Sequence, residues 1–68
     1  SGKKVNMETM NNISELQKEF QTNLQSLVDA NANKESNATL NNKAKDVEIT
    51  TLRIFGNLNN LKEDACSK

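Results

Sequence analysis

Ala30-Asn31-Ala32-Asn33-Lys34-Glu35-Ser36-Asn37 runs for eight residues without one large apolar side chain. Asn and Ser compete for local backbone hydrogen bonds and so weaken a helix from within. A stretch of about this length is also what joins antiparallel helices, where connections of about 2 to 8 residues are usual. Apolar periodicity lies on both sides of it, so a turn here gives two packed helices and its absence gives one rod.

Upstream, Met10, Ile13, Phe20, Leu24 and Leu27 follow heptad spacing with Gln17 in the one polar slot, and Leu16 and Val28 flank the same stripe. At 100° per residue these side chains occupy one face of an amphipathic helix, unlike the alternation of a strand. Downstream, Leu40, Ala44, Val47, Thr51, Ile54, Leu58, Leu61 and Ala65 step by four and three, and only Thr51 is polar. That is a second heptad stripe. The two stripes do not share a phase: Leu27 and Leu40 would both be d positions, yet they stand 13 residues apart where an unbroken heptad demands 14. The expectation is therefore an all-α chain, with helix 1 over about residues 6–31, a turn at 32–36 opened into the next helix by a Ser36 or Asn37 cap, and helix 2 over about 37–65. The helices fold back as an antiparallel hairpin, two of which pack into a dimeric four-helix bundle. The alternative is a continuous parallel coiled coil that absorbs the phase break by local unwinding. Residues 1–5 read as a disordered tail. Ser14 with Gln17 offers a later capping-box start for helix 1.

One segment pulls the other way. Val47-Glu48-Ile49-Thr50-Thr51-Leu52-Arg53-Ile54-Phe55 is rich in β-branched residues and is followed by Gly56-Asn57, so local preference leans toward strand and turn. The four-three spacing runs through it unbroken, and a pattern sustained over several heptads outweighs local propensity. Helix is expected, with Gly56 on its outer face.

Two packed amphipathic helices still expose the outer flank of each stripe, and a partner surface follows from that. The self-association seam is assigned to Met10, Ile13, Phe20, Leu24, Leu27, Leu40, Val47, Ile54, Leu58 and Leu61. Gln17 and Thr51 interrupt it, as polar residues do where they restrict register and oligomer state. Ile49, Leu52 and Phe55 lie away from this seam and make a candidate second contact face, for a multi-helix oligomer or for docking a different protein.

Composition narrows the chemistry. The 68 residues carry nine basic and nine acidic side chains, no His and one Cys, with 12 Asn and a mean hydropathy of -0.80. The charges are evenly spread and the aromatics are only Phe20 and Phe55, so the basic stripe and stacking platforms of a nucleic-acid binder are missing. No apolar run approaches the roughly 20 residues of a spanning helix, so no membrane insertion is expected. One Cys and no His cannot form a zinc site, and neither Gly2 nor Gly56 opens a phosphate loop. A non-enzyme without cofactor follows, acting as an oligomerisation or scaffold module whose partner is another copy or another helical protein. The alternative is a small surface-exposed or secreted binding module that docks a different protein through its helix 2 face. Cys66 reads either as an incidental free thiol or, in a parallel oligomer, as an interchain disulfide. Asn12-Ile13-Ser14 and Asn37-Ala38-Thr39 match glycosylation acceptors, but so Asn-rich a chain gives such matches by chance, and Ile13 belongs to the expected core.

Overall fold

The structure is a computed structural model that describes the backbone of residues 3–66 and the side chains of residues 6–66. Two helices make up the fold: α1 spans Lys3–Ala32 and α2 spans Asn37–Cys66. At 1.5 Å per residue, 30 residues give about 45 Å, which matches the long dimension of a molecule measuring 52 × 15 × 10 Å between Cα extremes. The chain folds back at residues 33–36 and the two helices pack side by side. It is a hairpin, and the continuous rod is not the structure formed. α1 begins at Lys3, ahead of the expected Asn6, and passes through Ser14 without a new start. Of the expected tail, Lys3 to Val5 are helical, while Ser1 and Gly2 lie outside the described residues.

The turn is built from backbone bonds that satisfy the last carbonyls of α1. Lys34 N–H donates to Asn31 O at 3.1 Å and Glu35 N–H to Ala30 O at 3.0 Å. These are the paired bonds of a Schellman motif, which require one residue in the left-handed region. Lys34 takes that place with φ 57°, where Gly is usual. Ser36 then caps α2: its Oγ accepts from Thr39 N–H at 3.2 Å, and its carbonyl takes the first intrahelical bond, from Leu40 N–H at 3.0 Å.

Residues 47 to 55 are helical throughout, against their local strand preference. The threonines fit because their hydroxyls bond back along the helix, Thr50 Oγ1 to Asp46 O and Thr51 Oγ1 to Val47 O, each at 2.9 Å. Gly56 is exposed, with nothing within 4 Å of where a Cβ would stand.

The contact between the helices is a regular ladder, and half its rungs are polar. On α1 the less exposed positions include Asn6, Thr9, Ile13, Leu16, Phe20, Asn23, Leu27 and Ala30, and on α2 they include Leu40, Lys43, Val47, Thr50, Ile54, Asn57, Leu61 and Asp64. Both rows step by three and four, which is what a left-handed helix pair requires. Only three described residues are buried, Thr9 (8% exposed), Ala30 (1%) and Thr50 (1%), and Ala30 is the one apolar member. A single seam between two cylinders removes little apolar surface from water, and here it is spent partly on polar side chains.

Candidate self-association surface

Of the ten residues assigned to the seam, Ile13, Phe20 and Leu27 on α1 and Leu40, Val47, Ile54 and Leu61 on α2 stand half-buried between the helices. Met10, Leu24 and Leu58 do not: they are 50%, 40% and 38% exposed at its edge. Gln17 is exposed beside them. In their place the hairpin turns Thr9, Leu16 and Asn23 of α1 and Lys43, Thr50, Asn57 and Asp64 of α2 toward the opposite helix. The same three-four ladder could have been traced through Leu16 instead of Gln17, which is the sequence signal for this row. At 100° per residue, each helix has its apolar stripe centred about 50° away from the row that meets the other helix.

In an antiparallel pair, a rotation of the same sense on each helix carries both stripes to the same side of the hairpin. The opposite side is polar, and its cross-helix pairs mark it. Arg53 Nη1 lies 3.8 Å from Glu19 Oε1, and Lys43 Nζ donates to Ser26 Oγ at 2.7 Å. Both ion-pair partners are well exposed, so the first contact stabilises the fold little. Between the faces, Asn23 Nδ2 donates to Thr50 Oγ1 at 2.9 Å, giving the buried hydroxyl an acceptor role beside its bond to Asp46 O. Toward the open end of the hairpin, the buried acceptors Asn6 Oδ1 and Asp64 Oδ2 have no hydrogen-bond partner among the described residues.

The apolar side carries Met10, Leu24, Val28 (52% exposed), Phe55 (59%) and Leu58. A shallow depression of about 270 Å³ lined by Val47, Glu48, Thr51 and Leu52 opens on the α2 flank of the same side. A larger, open hollow of about 640 Å³ near the turn is polar, with Ser26, Asp29, Glu35 and Lys43 among its walls. Of the candidate second contact face, Phe55 borders the apolar side, whereas Ile49 and Leu52 lie on the outer back of α2, 48% and 67% exposed. Cys66 is a free, exposed thiol at the end of α2. Among the described residues, no helix is long and apolar enough to cross a membrane.

The fold and its surface thus define a two-helix hairpin with one polar and one apolar side. Compared with family models, curated proteins and solved structures, the chain matches none.

Proposed function

We propose that this chain is a non-catalytic oligomerisation or scaffold module that works by packing its helices against copies of itself. One observation carries the reading: among the described residues of the isolated hairpin Ala30 is the only buried apolar one, while Met10, Leu24, Val28, Phe55 and Leu58 remain in water on one side. Domains of this size bury a small fraction of their surface and are marginal alone, and oligomerisation is one remedy. Exposed apolar side chains gathered on one side of a small protein are the kind of surface that marks association sites. Sedimentation equilibrium, with and without reductant, tests it. A mass of two chains or more at micromolar concentration, unchanged by reductant, is the expected result. A folded monomer over that range refutes it, and a dimer seen only without reductant transfers the role to Cys66.

A second reading is favoured by Ile49 and Leu52, exposed on the outer back of α2, with Phe55 one step further on at the border of the apolar side. Such a row is the form in which a helix offers itself to a groove in another protein. Under that reading the chain is a small binding module, and Leu52→Asp abolishes partner binding with circular dichroism unchanged.

A further inference from the structure

We propose that the second copy sits on the Met10, Leu24, Phe55 and Leu58 side with its turn at the opposite end of the bundle, a deepening that rests on the self-association reading above. In a four-helix bundle each helix has two neighbours at right angles, so its core stripe points between them, about 45° from either. The offset of about 50° between apolar stripe and hairpin seam, in the same sense on both helices, is the rotation that such a bundle needs. A hairpin serving as its own complete fold, or meeting a partner only along the back of α2, has no use for it. The face is also large enough: between Cα extremes it measures 52 × 15 Å, roughly 800 Å², comparable to the accessible surface each partner buries in a standard stable interface.

The orientation follows from register. The cross-helix contacts Glu19 to Arg53, Asn23 to Thr50 and Ser26 to Lys43 place residues whose numbers add to about 71 at one level, as an antiparallel helix pair with a and d positions sharing each layer requires. Near the turn this layer holds Leu27 and Ala44, and at the open end it holds Met10 and Leu61. Were both turns at one end, each layer would meet its own duplicate, leaving Leu27 and Ala44 twice over in an underfilled layer and Met10 and Leu61 crowded in another. With turns at opposite ends, Leu27 and Ala44 of one copy meet Met10 and Leu61 of the other, and large and small side chains alternate as dense packing requires. The centre is then shared by Gln17 and Ile54 of one copy with Phe20 and Thr51 of the other. Thr51 Oγ1 already donates its proton to Val47 O, so its oxygen is left to accept from the Gln17 amide. The two polar interruptions of the heptads become one central feature that fixes the register.

Cys66, exposed at the end of α2, reads the arrangement directly when spin-labelled in the wild-type chain. Opposite turns place the two labels roughly 40 Å apart, from the rise of α2 on either side of the two-fold axis. Turns at one end place them within roughly 20 Å, since the diagonal of a bundle whose neighbouring axes lie 8–10 Å apart is about 11–14 Å and the label arms add the rest. A dimer by sedimentation with a double electron–electron resonance distance near 40 Å is the expected outcome. A dimer with the short distance overturns the orientation and leaves self-association standing. A monomer, with no dipolar coupling, removes both.

Discussion

Thr50 and Lys34 are the two residues at which the hairpin makes costly local choices. The Thr50 hydroxyl is buried but fully used, accepting from Asn23 and donating to Asp46 O. Thr50→Val keeps the shape and strands the Asn23 amide in the seam, so we expect a loss of about 1–2 kcal/mol in urea unfolding. Asn23→Leu combined with Thr50→Val removes both partners and should recover most of that loss. A double mutant as unstable as the summed singles contradicts the pairing. Lys34 sits at φ 57°, a conformation that penalises a side chain with a Cβ. Lys34→Gly should therefore raise stability by about 1 kcal/mol, the relief being partly offset by the freer unfolded chain. A decrease would mean that the lysine side chain supports the turn.

Each helix was legible from period and punctuation, whereas the direction it faces was not. The phase break between Leu27 and Leu40, the polar run from Ala30 to Asn37 and the cap at Ser36 all sit where the chain turns. The strand preference of Val47 to Phe55 yields to the four-three spacing that seats Val47, Thr50 and Ile54 against α1, and the hydroxyls of Thr50 and Thr51 find acceptors in carbonyls of the preceding turn. Gly56 remains the weak point of α2. Since nothing stands within 4 Å of its would-be Cβ, Gly56→Ala should stabilise the helix by about 1 kcal/mol, read as a higher thermal midpoint. No change would mean that the position is frayed or is covered by a partner. Lys34 gave no advance sign, since Lys has no preference for a left-handed turn where Gly or Asn does. The contact row was hidden for a different reason. Period locates the apolar side of a helix, but the row that meets one neighbour is set by where that neighbour stands, so Thr9, Asn23, Thr50 and Asn57 entered the seam while Met10, Leu24 and Leu58 stayed at its edge.

At the scale of the whole molecule, a hairpin 52 Å long with one buried apolar side chain among its described residues has almost no core of its own, so its folding and its assembly should be one equilibrium. For a dimer that unfolds to two separate chains, a tenfold rise in concentration adds about 1.4 kcal/mol to apparent stability. Because both chains of 68 residues unfold together, that shifts the thermal midpoint upward by about 5 °C. A midpoint independent of concentration points to a self-sufficient monomer. Two substitutions then locate the surface involved. Leu24 and Leu52 are both exposed leucines of the hairpin, 40% and 67%, but Leu24 faces the apolar side and Leu52 the outer back of α2. Leu24→Asp puts a charge into the proposed bundle core, where an unpaired carboxylate is costly to desolvate. It should dissociate the assembly and, because the lone hairpin is weakly held, lower helicity at the same protein concentration. Leu52→Asp leaves its charge in water and should change neither sedimentation nor circular dichroism. Were Leu52→Asp instead the variant that dissociates the assembly, the contact would run along the back of α2 and the bundle arrangement would fall, even with self-association intact.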